Sequence, residues 1–139
     1  MRVQTLVDTG PLVALLKRDE EHHEWVTQAF RELPSAGMVT CEAVVSETCF
    51  LLGRWPAAID GLFRRLGDGT LGLEPLDGES AAIHALMKKY RNVPASFADA
   101  CLVRLSERHP DALVLTIDSD FEIYRRNGRQ HLPLRAPFR

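Results

Sequence analysis

The chain has 139 residues, 45% of them hydrophobic and 26% charged, with a formal net charge of -2. That length is ordinary for one domain, here expected to span residues 1–139, and it buries enough surface to fold without disulfide staples. The charge excludes a strongly basic, histone-like nucleic-acid binder, although clustered carboxylates can conceal a basic rim in the sum, and no apolar run approaches the ~18 residues of a membrane span.

In chain order, residues 3–7 read as a strand that enters "DTGPLVALLK" at Asp8, where Thr9 is a candidate helix cap and Pro11 lies in the first turn. The N-terminus lacks the basic segment, apolar stretch and small-residue cleavage site of a signal peptide, which sets the expectation of a cytoplasmic protein. Trp25, Val26, Ala29, Phe30 and Leu33 then recur at helical spacing until "PSAG", and "MVT" is a short second strand. Residues 42–52 predict a helix with Val44, Thr48 and Leu51 on one face, Glu47 on or beside it, and Gly53 as its stop. Pro56 opens a further helix that ends in "GDGTLG", followed by a third strand over residues 71–76. Residues 78–90 predict a helix capped by Asp77. Ser96 caps another that carries Phe97, Ala98, Cys101, Leu102 and Leu105, with Asp99 in its first turn. "DALVLT" is the fourth strand, and the tail "HLPLRAPF" supplies an edge strand. Strands alternating with helices predict an α/β domain with a parallel sheet covered on both faces.

Cys41, Cys49 and Cys101 form no CxxC pair and are odd in number, and the five histidines are scattered. Neither a disulfide framework nor a zinc site is expected, and the cysteines read as small buried or half-buried residues.

The carboxylates carry the functional signal. Ligands of open parallel sheets bind at the carboxyl ends of the strands, where Asp8 and Asp118 stand. Glu47 and Asp99 interrupt largely apolar helices and have no Lys or Arg at i+3 or i+4. Each has a plainer reading alone: Asp99 as a helix-dipole residue, Asp118 and Asp120 as turn or cap residues, Glu47 as a helix-surface residue. Together they are four carboxylates that one sheet can bring to a single cleft. Close carboxylates repel unless one protonates or a cation joins them, and an all-oxygen set suits Mg2+ or Mn2+.

Four segments in this order, "LVDTGPLVALL", "VVSETCFLL", "FADACLV" and "VLTIDSDF", resemble the PIN-domain ribonucleases, and among them the VapC-type toxins of type II toxin-antitoxin systems. The resemblance runs nearly the whole chain. It implies a three-layer α/β/α sandwich with a central, mostly parallel sheet of four to five strands, and a Mg2+- or Mn2+-dependent endoribonuclease. Asp8, Glu47, Asp99 and Asp118 take the family's acidic positions, with Asp8, Asp99 and Asp118 as the implied metal ligands. Asp120 takes a support or turn role. Thr9 and Thr116 resemble hydroxyl positions that hold a ligand or a metal-bound water, or serve simply as a helix cap and a strand residue. Water attacking the phosphodiester in line would leave a 5'-phosphate and a 3'-hydroxyl.

RNA held against an acidic centre calls for a basic rim. Lys17, Arg18, Arg54, Arg64, Arg65, Lys88, Lys89 and Arg91 are the candidates, most of them ordinary solvated charges, with Arg54 favoured because it closely follows the Glu47 helix. The family further implies a cognate antitoxin, and a homodimer for which Trp25, Phe30, Phe50 and Trp55 offer apolar surface. A non-catalytic PIN-like module that binds RNA or protein is the alternative. A haloacid-dehalogenase-type phosphatase is a weaker fit, because Gly10 stands where its second aspartate belongs. So is a response-regulator receiver, which wants a lysine where Asp118 follows the late strand.

Overall fold

The computed structural model describes residues 2–139. The chain runs β1 (Thr5–Val7), α1 (Thr9–Leu16), α2 (His23–Glu32), β2 (Met38–Thr40), α3 (Glu42–Leu51), α4 (Pro56–Gly67) and β3 (Gly72–Leu73). It continues through α5 (Ser80–Lys89), α6 (Phe97–Arg108), β4 (Leu113–Leu115), a 3-10 turn (Ser119–Glu122), β5 (Arg125–Arg126), β6 (Gln130–His131) and β7 (Leu134–Arg135). Five strands form one parallel sheet in the order β3-β2-β1-β4-β7. This is the α/β/α architecture expected from the sequence.

The apolar runs explain the sheet's centre. Leu6, Val7, Val114 and Leu115 are wholly buried, as continuous hydrophobic strands must be when both faces are covered. Each such side chain contributes roughly 1.5–3 kcal/mol by leaving water. Thr40 Oγ1 donates 2.7 Å to the Val7 carbonyl and pins the end of β2 to β1.

The chain moves outward from β1 through β2 to β3, then returns to lay β4 on the other side of β1. Right-handed crossovers therefore put α1 to α4 on one face and α5 and α6 on the other. They also make the gap between the carboxyl ends of β1 and β4 the point where strand order reverses. His23 Nδ1 donates 2.6 Å to the Ala14 carbonyl, fixing the start of α2 against α1.

Several local expectations are corrected. Asp8, not Thr9, is the N-cap of α1, because its carboxylate accepts the Thr9 amide at 2.8 Å. Glu79 rather than Asp77 precedes α5, and no side chain caps that helix. The third strand shrinks from residues 71–76 to Gly72–Leu73. Helix α3 ends at Leu51 with Leu52 as its C-cap, so Gly53 follows the stop rather than making it. Leu51 and Phe97, placed on apolar faces by periodicity, are 47% and 55% exposed. An unforeseen hairpin, β5 with β6, turns through Asn127 and Gly128, both at positive φ. Its "NG" pair is a strong short-range hairpin signal that was there to be read. The tail does add an edge strand, β7, parallel to β4.

Among the described residues no helix is long and apolar enough to cross a membrane. The cysteines are free, Cys41 and Cys101 buried and Cys49 half-buried. Of the apolar residues considered for a dimer face, Trp25 and Phe30 pack on the core, while Phe50 and Trp55 are exposed.

Candidate active site

Asp8 lies one residue beyond β1, only 5% exposed. Both its oxygens are engaged: Oδ1 accepts the Thr9 amide, and Oδ2 accepts the Thr116 hydroxyl at 2.7 Å. Thr116 itself follows β4, and its Oγ1 also accepts the Asp118 amide at 3.0 Å. A single hydroxyl thus links the carboxylate after β1 to the backbone after β4. Asp118 N-caps the 3-10 turn by accepting the Asp120 amide at 2.9 Å.

Gly10 lets these two strand ends approach. A Cβ there would stand 2.6 Å from Cγ1 of Ile117, the residue between Thr116 and Asp118. A side chain at this position, in the first turn of α1, would force the Ile117 side chain to move.

Asp99 enters from α6. Ser96 caps that helix as expected, its hydroxyl accepting the Asp99 amide at 3.0 Å, which sets Asp99 at the third helical position. The half-buried carboxylate accepts a 2.8 Å hydrogen bond from Tyr124. Tyr124 is wholly buried and held edge-on against Tyr90 and Phe121, at 5.1 and 5.0 Å between ring centres. Sequence reasoning missed Tyr124: it lies beyond the last acidic motif, and only the tertiary fold brings it to Asp99. Burial and the neighbouring Asp99 push its hydroxyl well above the ordinary tyrosine range.

The electrostatics bring the acids together. Burial, opposed by Thr116 and reinforced by the charges of Asp99 and Asp118, pushes Asp8 up to about 7. Asp99 is raised by burial and then by Asp118, with Tyr124 and Ser96 opposing. Glu47 is raised by partial burial and then by Asp99 and Asp118, with Thr9 offsetting part of the rise. Asp120 is raised by burial and by Asp118 alone. Asp118 is therefore the charge common to all, and Asp120 lies at the margin.

Glu47 differs from its expected setting. Its side chain is exposed on α3, so isolation in an apolar face is not what makes it unusual. Its proximity to Asp99 and Asp118 is. The buried Thr9 hydroxyl lies toward Glu47 without closing a full hydrogen bond, which leaves it available to a group entering between Asp8 and Glu47. Arg54 is exposed in the turn after α3, and no hydrogen bond or ion pair among the described residues ties it to the acids. Lys17 is committed elsewhere, over the Trp55 ring at 4.3 Å and beside Asp19 and Glu20.

Among the described residues no three acidic, His or Cys side chains close into a ready-made ligand shell. A donor set of carboxylates that repel one another stays open, and Asp8 is held by its two hydrogen bonds. Mg2+ is ordinarily bound through one or two carboxylates plus several waters, so an open, all-oxygen cluster is compatible with it.

Three solved structures share this fold. VapC20 of Mycobacterium tuberculosis, described as a sarcin-ricin loop cleaving toxin, superposes with a TM-score of 0.77 at 20% identity, over 86% of this chain and 94% of its own. A toxin-antitoxin complex from Klebsiella pneumoniae gives 0.62 at 15% identity, over 84% and 88%. DNA-bound VapBC from Salmonella typhimurium gives 0.62 at 14% identity, over 96% and 98%. No curated protein matches the chain in sequence. The PIN domain family model matches residues 5–127, from β1 through the turn that follows β5. A sheet whose order reverses between β1 and β4, with acids gathered at that point and a family match over nearly the whole chain, makes this protein a member of the PIN domain family.

Proposed function

We propose that the chain is a metal-dependent endoribonuclease and the toxin of a toxin-antitoxin pair, working in the cytoplasm as one domain over residues 1–139. The observation that carries the reading is the gathering of Asp8, after β1, Glu47 on α3 and Asp99 on α6 about Asp118, after β4, whose charge raises the proton affinity of the other three. Such mutual repulsion is costly unless a cation relieves it. The printed descriptions of the structural relatives, a loop-cleaving toxin and toxin-antitoxin complexes, support the same direction.

The donor set fits Mg2+ or Mn2+, with Asp8, Asp99 and Asp118 holding the ion. When bound, the ion supplies an acidified water and neutralises charge on the phosphate. The protein does the rest. Thr116 holds the Asp8 carboxylate and Tyr124 that of Asp99, so both are fixed before substrate arrives. Glu47, exposed and with a raised pKa, orients the attacking water and takes its proton. The Thr9 hydroxyl has a donor to spare for a phosphate oxygen or a water. In-line attack expels the 3'-oxygen and leaves a 5'-phosphate, and Asp120 supports the turn that carries Asp118. Arg54 contacts RNA beyond the scissile bond. A cognate antitoxin and a second copy of the chain complete the set of partners.

The test is cleavage of structured RNAs by the purified protein with Mg2+, Mn2+ or EDTA, beside Asp8→Asn and Asp99→Asn. Cutting that needs metal and disappears in both variants supports the reading. A folded wild-type protein that binds RNA and never cuts it would instead favour the non-catalytic module.

A further inference from the structure

Cys41 and Cys101 take no part in the acidic site. They are free, 2% and 1% exposed, and come from separate elements. Cys41 is the N-cap of α3, directly after β2, and Cys101 lies in the second turn of α6. Both line one pocket of about 210 Å3, whose other walls include Glu42, Glu74, Asp77 and Phe97. A buried cysteine is ordinarily inert, but here one pocket touches two of them at once.

The surroundings of Cys41 are those of a reactive thiol. At a helix N-cap its sulfur faces the unpaired amides of Ala43 and Val44, which favour a thiolate. The neighbouring Cys101 side chain and those amides together lower the Cys41 thiol below its ordinary range, and the Cys101 thiol is raised in turn.

We propose that Cys41 and Cys101 form an oxidation-sensitive dithiol, which a small neutral peroxide entering this pocket converts to a disulfide bridging α3 and α6. The Cys41 thiolate attacks one oxygen of hydrogen peroxide, breaking the O–O bond to give a sulfenic acid and hydroxide. Cys101 sulfur then attacks the sulfenic sulfur. The S–S bond forms, the S–O bond breaks, and water departs with the Cys101 proton. Peroxide is reduced by two electrons and the two thiols are oxidised by two.

The pocket selects the oxidant. Its volume admits hydrogen peroxide and excludes glutathione disulfide, and the exposed carboxylates of Glu42 and Asp77 repel that anion further. The bond would sit six residues before Glu47 and two after Asp99, fastening together the two helices that carry those acids. The proposal does not depend on whether the protein cuts RNA.

The experiment treats the folded full-length protein with hydrogen peroxide in EDTA, blocks remaining thiols with N-ethylmaleimide, and maps peptides by mass spectrometry. A Cys41–Cys101 cross-linked peptide, reversed by dithiothreitol, is expected in the wild type and in Cys49→Ser, with Cys49 still alkylated in the wild type. The cross-linked protein should melt several degrees higher, because closing a long loop restricts the unfolded chain. Cys101→Ser should leave Cys41 as a sulfenic acid, which dimedone traps, or as a sulfinic acid, which the added mass of the peptide shows. Three results would overturn the proposal: Cys49 oxidised while Cys41 and Cys101 stay alkylatable, sulfinic acid on Cys41 without a cross-link in the wild type, or pairing that involves Cys49. The wild-type peptide map decides the matter even if a serine variant fails to fold.

Discussion

Replacing Asp8 by asparagine should make the metal-free protein more stable, and the effect should depend on pH. Asp8 is buried and its pKa is raised from 3.8 to about 7. A carboxyl whose folded pKa is raised binds its proton more tightly when folded. Its contribution is therefore most favourable below the unfolded value and is lost as pH rises from 3.8 through about 7. At about 1.4 kcal/mol per unit, ionised Asp8 costs the fold about 4 kcal/mol at about pH 8, an order-of-magnitude figure. Asparagine removes that cost and keeps an acceptor for the Thr9 amide, but it loses the acceptor for Thr116, at about 1–2 kcal/mol. The net gain is about 2–3 kcal/mol at about pH 8, or roughly 10 °C in Tm for a domain of this size. Near pH 5 the cost of wild-type ionisation falls to about 1.6 kcal/mol, and the lost hydrogen bond cancels it. Urea denaturation of both proteins in EDTA, across this pH range, reads the difference directly. An asparagine variant that is no more stable than wild type at alkaline pH, or whose advantage does not shrink on acidification, would refute the reasoning.

Millimolar Mg2+ or Mn2+ should stabilise the wild type near neutral pH, by about 2.7 kcal/mol if the ion is present at a hundred times its Kd, and the accompanying rise in Tm should be absent in an Asp8→Asn/Asp99→Asn double variant followed by the same thermal melts. Tyr124→Phe keeps the ring packed between Tyr90 and Phe121 but removes the donor to Asp99; stability should fall by about 1 kcal/mol in urea titration, and metal-dependent RNA cleavage should fall tenfold or more. Gly10→Ala forces a Cβ against Ile117 and should cost about 1–3 kcal/mol. Combining it with Ile117→Ala should recover most of that loss, and a double variant no better than Gly10→Ala would place the clash elsewhere.

The four acids were legible because ionised side chains beside apolar strands and helices need a reason, and the sequence prints that conflict at Asp8, Asp99 and Asp118. Glu47 was found for a partly wrong reason: its helix face is exposed, and what matters is its distance from Asp99 and Asp118, which no spacing along α3 encodes. The periodic helices α2 and α6, and the short apolar strand β4, fell where expected. The failures lie where tertiary contacts overrule local pattern. Asp77 is a good cap residue that Gly78, at positive φ, turns aside before α5 begins. Phe97 sits at helical spacing with Ala98 and Cys101, yet it is the first residue of α6 and projects past the core. Tyr124 could not be read at all, since nothing local joins it to an aspartate 25 residues earlier.

The hydroxyl of Thr116 reaches a carboxylate 108 residues away along the chain. A ribosome makes Asp8 108 residues before Thr116, and Asp118 comes later still. β1 cannot sit at the centre of the sheet until β4 arrives to flank it, and such distant pairing is slow to form. A nascent chain that has not reached β4 therefore has Asp8, Glu47 and Asp99 without the site, and whatever this cluster does is withheld until β4 and the turn after it are made. Arrival of β4 beside β1 is, in this architecture, the step that turns the site on.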